Sequence, residues 1–275
     1  MTDEKKNPLL PQVCKVIKIT DETPDVKTFR IQTPDGKRPF LPMPGQLGMI
    51  SIPDVGEAMF SITAHDEDWI ESSIKRVGML TEALHDMSVG DPVGVRGPYG
   101  NGFPVDALKG KRILFITGGI ALAPVRPLIR WCLQHREDYG HLDILYGSRS
   151  KADLVFKDDL FKNWVGLPDT GLYLTVDRGS DDWDGNVGFV PDYLEQCGFA
   201  PEGCKVILCG PPIMIKLTLP RLTKMGFAKD DIITSLEARM KCGIGKCGRC
   251  NIGNKFICKD GPVFTLSELD ELPSE

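Results

Sequence analysis

The sequence contains no apolar run long enough to cross a bilayer. Its most apolar stretch, residues 113–125, falls short of the roughly 20 residues a membrane helix requires and carries Gly118, Gly119 and Pro124 inside it. No membrane insertion is expected. Basic charge is not in surplus either: 33 Lys and Arg stand against 38 Asp and Glu, and a net charge of −5 gives no field that would draw the chain to nucleic acid. The first residues, MTDEKKNPLLP, are charged at once and lack the apolar middle of an export signal, so a cytoplasmic location is expected. Internal repeats and low-complexity tracts are absent. A disulfide framework is also missing, because nine cysteines are an odd number and point instead to metal binding or plain burial. What is there is a globular composition, 41% hydrophobic and 26% charged, over 275 residues, enough for two ordinary domains and an appendage.

From Gln12 to about Pro104, short β-rich runs (CKVIKIT, VKTFRIQ, LGMISI, WIESSIKRV and PVGVRG) are separated by turn residues, with a helix expected over 80–87. Short strands at this spacing predict a small antiparallel barrel. From Leu108 the texture changes. Four apolar runs, RILFIT, LDILY, LYLTV and KVILC, follow one another, and Val125, Leu128, Ile129, Cys132 and Leu133 recur at helical spacing between the first two. Continuous apolar strands alternating with helices predict a parallel sheet covered on both faces, with a further helix over 213–225 and a last strand over 232–236. The expected division is a barrel over 1–106, an α/β domain over 107–230, and a small cysteine-rich segment with an acidic tail over 231–275.

The set with the most specific spacing is Cys242-x4-Cys247-x2-Cys250-x7-Cys258; the other cysteines, Cys14, Cys132, Cys197, Cys204 and Cys209, are scattered. Its first three positions have the spacing of plant-type ferredoxin ligands to a 2Fe-2S cluster, where a glycine-rich loop turns backbone N–H groups toward the sulfurs. Gly243, Gly245 and Gly248 supply such a loop. Zinc is the alternative, but a zinc ribbon usually brings two C-x2-C knuckles and here there is one. The run TGGIALAP over 117–124 lies between a strand and a helix, where glycine backbone and a helix N-terminus suit a pyrophosphate. It does not match G-x-G-x-x-G, and a tight turn alone would also use it. Cys209-Gly210-Pro211 ends another strand, where open α/β sheets bind ligands; the plain reading is a turn with a buried thiol. In the barrel, Phe60-Ser61-Ile62 on a strand and Gly78-Met79-Leu80-Thr81 opening a helix are either ordinary strand and cap residues or a hydroxyl and amides placed for a flavin and its phosphate. Arg149 and Lys151, after the second parallel strand, offer charge to a ribose 2′-phosphate and lean the reading toward NADP(H).

Taken in order, these features resemble the ferredoxin-NADP reductase superfamily over nearly the whole chain. The runs MKCGIGKCGRC (240–250) and CKDGPVF (258–264) are most similar to its branch with a C-terminal 2Fe-2S segment: gamma subunits of cytosolic NiFe sulfhydrogenases, the corresponding subunit of anaerobic sulfite reductase, and the electron-transfer subunit of dihydroorotate dehydrogenase. The resemblance implies an FAD-binding barrel, an NAD(P)-binding domain and a cluster that passes electrons to other redox subunits, hence a diaphorase-type oxidoreductase subunit. It implies that Phe60, Ser61, Ile62, Gly78 and Thr81 hold the flavin, with Ser61 near its redox nitrogen. It further implies that Gly118, Gly119, Ala123 and Pro124 hold the nucleotide, that Cys209 and Gly210 stand beside the nicotinamide, and that Cys242, Cys247, Cys250 and Cys258 bind the cluster. Ser61 and Cys209 are then the catalytic candidates. Two departures stand out. The family's R-x-Y-S motif falls on Ala58-Met59-Phe60-Ser61, so the arginine that pairs with flavin phosphate is absent, with Lys75 or Arg76 at hand to replace its charge; and Ala121 replaces a glycine of the nucleotide loop. On those departures rests a competing reading, a scaffold with a structural metal and vestigial nucleotide sites.

Overall fold

A computed structural model describes residues 7–272; the charged start of the chain and the end of the acidic tail, residues 1–6 and 273–275, lie outside the described residues. The N-terminal sheet contains β1 (Gln12–Thr23), β2 (Val26–Gln32), β3 (Leu47–Ile52), β4 (Gly56–Ser61), β5 (Ala64–His65), β6 (Ile70–Lys75) and β7 (Pro92–Tyr99). Its order is β4-β3-β7-β1-β2-β6-β5, antiparallel throughout. β4 curls back against β6, which closes the sheet around Phe29, Ile31, Ile50, Ile74 and Val95. α1 (Met79–His85) plugs one end with the buried Leu84. It begins one residue earlier and ends two earlier than its sequence pattern suggests.

The second sheet contains β8 (Arg112–Gly118), β9 (Leu142–Ser148), β10 (Thr170–Val176), β11 (Asn186–Val187), β12 (Cys204–Cys209) and β13 (Ile232–Ser235), parallel in the order β11-β10-β9-β8-β12-β13. The unbroken apolar run of β8 follows from burial on both faces. Ile113 and Phe115 face one core with Val125, Leu128 and Ile129 of α2 (Leu122–Gln134). Leu114 and Ile116 face the other with Leu194 of α3 (Val190–Cys197) and Leu222 of α4 (Pro212–Lys224). Beyond β13 come β14 (Asn251–Ile252), β15 (Lys255–Phe256), α5 (Ile257–Asp260), β16 (Val263–Thr265) and α6 (Leu266–Asp270). β16 pairs antiparallel with β13, so the sheet is mixed and its seventh strand comes from the cysteine-rich segment. Three residues are too few to show a period, which is why the pattern does not reveal β16. α3 also escapes periodicity, although Pro191 in its first turn and Gly198 at φ 64 after its end are the usual start and stop signals.

A buried ionic cluster joins the two sheets. Glu71 on β6 accepts from Arg30 Nε and Nη2 at 2.9 and 2.7 Å and from Arg126 Nη1 of α2 at 3.3 Å. Arg126 Nε also donates to Asp159 Oδ2 at 2.6 Å, and its guanidinium lies over the Phe156 ring. Nearby, the backbone N–H of Phe156 donates to Glu22 Oε2 of β1 at 2.8 Å. The cleft between the barrel and the second sheet is therefore bounded by fixed walls.

Candidate functional site

A cavity of about 590 Å³ opens at the carboxyl ends of β8, β9 and β12 and reaches the barrel at Thr23, Asp25, Val26 and Lys75. Gly118, Gly119, Arg149 and Gly210 line it; Ala123 and Pro124 lie behind it in the first turn of α2, and Cys209 lies beneath it. The glycines serve different ends. A Cβ on Gly118 would stand 2.6 Å from Met214 Sδ, and one on Gly210 would stand 2.1 Å from Met214 Cε, so both leave room for a methionine. Gly119, at φ 58, has nothing within 4 Å where its Cβ would be; there the backbone faces open space in a conformation that favours glycine. Just behind, the Thr117 hydroxyl is fully buried without a hydrogen-bond partner among the described residues. An open backbone turn at a strand end fits a pyrophosphate. Burial pushes the Cys209 thiol up to about 12, with Glu237 adding to the effect, so it stays protonated near neutrality.

The charges at the adenosine end are mostly paired. Arg149 Nη2 donates to Asp153 Oδ1 at 2.6 Å and lies 4.0 Å from Asp25 Oδ2, while Lys151 Nζ donates to the Asp182 carbonyl at 2.6 Å and lies 2.9 Å from its carboxylate. Asp177, just after β10, also lines the cavity; burial raises its carboxyl above the ordinary range against the pull of Arg178 and Arg149.

On the barrel, Phe60 and Ser61 end β4, and Ile62 follows, buried in the barrel core. The Ser61 hydroxyl is half-buried and makes no hydrogen bond among the described residues. The Thr81 hydroxyl accepts from the N–H groups of Val77 and Gly78 at 2.8 and 2.9 Å and donates to the Gly78 carbonyl at 2.8 Å, so it builds the turn instead of pointing outward. Gly78 has extended backbone and nothing near its missing Cβ. The turn itself does not demand glycine, and the open space beside it fits a bulky ligand. Of the two candidate replacements for the absent arginine, Lys75 pairs with Asp25 at 3.3 Å, while Arg76 has only a 3.8 Å contact with the exposed Asp86.

The four cysteines sit on one loop packed against the end of the barrel. Gly243, Gly245 and Gly248 all have φ between 70 and 78, which lets the loop coil back on itself. Cys242 Sγ accepts from the N–H groups of Ile244 and Lys246 at 3.5 and 3.3 Å, and Cys258 Sγ from that of Gly245 at 3.2 Å. Burial raises the Cys242 thiol, but the N–H groups of Ile244, Cys247 and Lys246 outweigh it and bring it down to about 6. Burial and the adjacent Cys250 push Cys258 up to about 12. Four thiols with amides aimed at them form an all-sulfur donor set that fits an iron–sulfur group. Among the described residues no three His, Cys, Asp or Glu side chains converge on a single ion position.

Residues 115–219 match the family described as oxidoreductase NAD-binding domain, and residues 237–270 match the iron-sulfur cluster binding domain of dihydroorotate dehydrogenase B. Over 270 residues the chain is 36% identical to the sulfhydrogenase 1 subunit gamma of Pyrococcus furiosus, covering 95% of this chain and 92% of that one. It belongs to the ferredoxin-NADP reductase-like family of electron-transfer subunits. It is also 32% identical over 257 residues to a probable dihydroorotate dehydrogenase B (NAD(+)), electron transfer subunit, of Methanocaldococcus jannaschii, covering 92% of this chain and 89% of that one. The fold superposes on the NADH-dependent reduced ferredoxin-NADP oxidoreductase with a TM-score of 0.75 at 24% identity, covering 98% and 91% of the two chains. As a ferredoxin-NADP reductase-like subunit, the chain is an NAD(P)H-linked oxidoreductase with FAD and an iron–sulfur cluster as its cofactors. No helix among the described residues is long and apolar enough to cross a membrane.

Some residues of these sites carry no local signal. Arg96 and Asn101 hold the cysteine loop from the end of β7. Asn101 Nδ2 donates to the carbonyls of Asp260 and Val263 at 3.2 and 2.7 Å, and its Oδ1 accepts from the Val263 N–H at 3.0 Å. Neither motif spacing nor periodicity could have joined residues so far apart in sequence. Asp177 follows the third parallel strand, and its position alone was a usable signal.

Proposed function

We propose that this subunit is a diaphorase that moves electrons between nicotinamide nucleotide, FAD and a 2Fe-2S cluster, working in the cytoplasm within a complex whose other subunits hold the terminal redox chemistry. The single observation that carries this reading is the juxtaposition of one glycine-lined cleft, one barrel strand ending in Phe60 and Ser61, and one four-thiol loop, all fixed to the same barrel. When bound, a flavin supplies the conversion between paired and single electrons that joins a hydride donor to a one-electron cluster. The chain's own residues bind, orient and exclude water. Gly119 presents open backbone to the pyrophosphate, with Gly118 and Gly210 shaping the cleft around Met214 and Ala123 and Pro124 fixing the start of α2. Ser61 offers a free hydroxyl at the flavin ring, with Phe60 and Ile62 forming its apolar support. Gly78 leaves room for the phosphate, and Thr81 fixes the turn. Cys209 is a protonated packing group beside the nicotinamide. Cys242, Cys247, Cys250 and Cys258 ligate the cluster. Residues 1–106, 107–230 and 231–275 are the corresponding units, with β13 and β16 of the last completing the second sheet.

The charge pattern favours NADH over NADPH. Arg149 lies at the adenosine end but already satisfies Asp153, and Asp177 is placed to accept from a ribose hydroxyl and to repel a 2′-phosphate. The relatives support two kinds of partner: a hydrogenase of the sulfhydrogenase type, or a dihydroorotate dehydrogenase catalytic subunit, the latter favoured by the match of residues 237–270. Anaerobic electron paramagnetic resonance of the purified chain, with iron, zinc and flavin assayed on the same sample, tests the central reading. A signal that appears on adding NADH, with two irons and one FAD per chain, is expected; stoichiometric zinc and no flavin would refute it.

A further inference from the structure

Arg96 is the most deeply buried arginine at the junction between barrel and cysteine loop, 5% exposed, and nothing in the cofactor reading above uses it. Its guanidinium spends its donors on two elements at once. Nη2 donates to Glu57 Oε1 at 2.8 Å and to the Lys241 carbonyl at 2.9 Å; Nη1 donates to the Cys242 carbonyl at 2.8 Å and to the Tyr99 hydroxyl at 3.0 Å; and Nε lies 3.3 Å from Glu57 Oε2. Glu57 stands on β4, the strand that ends in Phe60 and Ser61, and Cys242 is the first cysteine of the loop. One side chain therefore ties the flavin-side strand to the cluster loop.

Two consequences follow. The peptide bonds after Lys241 and Cys242 are trans, so pinning both carbonyls on Arg96 turns the N–H groups of Cys242 and Gly243 away from the guanidinium. The fork also holds a full positive charge beside Cys242 in a site closed to water. Glu57 does not cancel it, because the carboxylate side chain is 43% exposed and screened while the guanidinium is not. Burial works against the charge on Arg96, but Glu57 and Tyr99 outweigh it.

We propose that Arg96 is a positioning residue for the cluster loop, and that its buried charge, trimmed by Glu57, raises the reduction potential of the group held at Cys242. The proposal rests on the four cysteines binding an iron–sulfur cluster. Adding an electron to a cluster already carrying four thiolates is favoured by a fixed cation within the low-dielectric junction.

The test is a redox titration of the full chain with a chemical reductant and mediators, monitored by electron paramagnetic resonance, with iron per chain and chelator-induced iron loss as independent readouts. Arg96→Gln should lower the potential by about tenfold in the reduced-to-oxidised ratio at fixed poise, about 59 mV for one electron. Glu57→Gln should move it upward, by less. Arg96→Lys, which keeps the charge but loses the fork, should hold a potential near wild type and release iron to a chelator several-fold faster. A merely structural role would not give opposite signs for Arg96→Gln and Glu57→Gln. If Arg96→Gln retains no iron, the sign for Glu57→Gln and the behaviour of Arg96→Lys decide. Potentials unmoved in iron-replete Arg96→Gln and Glu57→Gln chains, or both shifted the same way, overturn the proposal and leave the cofactor reading intact; a wild-type chain without iron overturns both.

Discussion

Replacing Arg126 by Met removes the cation that joins Glu71 of the barrel to Asp159 of the α/β domain. The two carboxylates are not left equally exposed to the loss. Glu71 keeps its two-pronged contact with Arg30 at 2.9 and 2.7 Å. Asp159 is 3% exposed and keeps only the Asn163 amide at 2.8 Å on its other oxygen. Breaking a buried pair by removing one partner costs about 3–5 kcal/mol, and the surviving contacts place this variant near about 3 kcal/mol. Methionine fills much of the volume beneath Phe156, so little of the cost comes from packing. For a chain of this size each kcal/mol moves the melting temperature by about 2–4 °C, which predicts a fall of about 6–12 °C by calorimetry. The decisive comparison adds Asp159→Asn. If the cost is the stranded carboxylate, the double variant should regain more than half of the loss, because an amide needs no counter-charge. A double variant no more stable than Arg126→Met alone would refute this reasoning and assign the loss to the cation's contact with the aromatic ring or to domain packing.

Two further outcomes follow from the cleft. Asp177→Ser should raise kcat/KM with NADPH relative to NADH by about tenfold, the effect of about 1.4 kcal/mol, in steady-state reduction of an artificial acceptor; an unchanged ratio removes Asp177 as the discriminating acid. Gly118→Ala should destabilise the chain by about 1–3 kcal/mol through overpacking against Met214, and Met214→Ala in the same chain should recover part of it, as read from urea midpoints. Gly119→Ala meets no neighbour, and its cost should come from backbone strain alone, about 1–2 kcal/mol.

The parts of the molecule legible in sequence are those whose physics is local. β2 and β3 occupy the same residues as the runs VKTFRIQ and LGMISI, because strand alternation and flanking turns are contained within them. The apolar runs of β8, β9 and β12 announce burial on both faces, since such strands have no polar side to show. The cysteine spacing and its glycines specify a four-thiol loop within 17 residues, Cys242 to Cys258, for the same reason. Tertiary structure alone decided the rest. Met214 and not a ligand accounts for the missing side chains at Gly118 and Gly210, and Asp153 and Asp25 share the charge of Arg149. β16 returns to the edge of the parallel sheet after the cysteine loop. Arg96 meets the carbonyls of Lys241 and Cys242 across about half the chain, and Glu71 meets Arg126 across two domains. A buried charge is defined by its partners and its loss of water, and both come into being only when separate segments close on each other; a pattern of residue types along one segment holds neither.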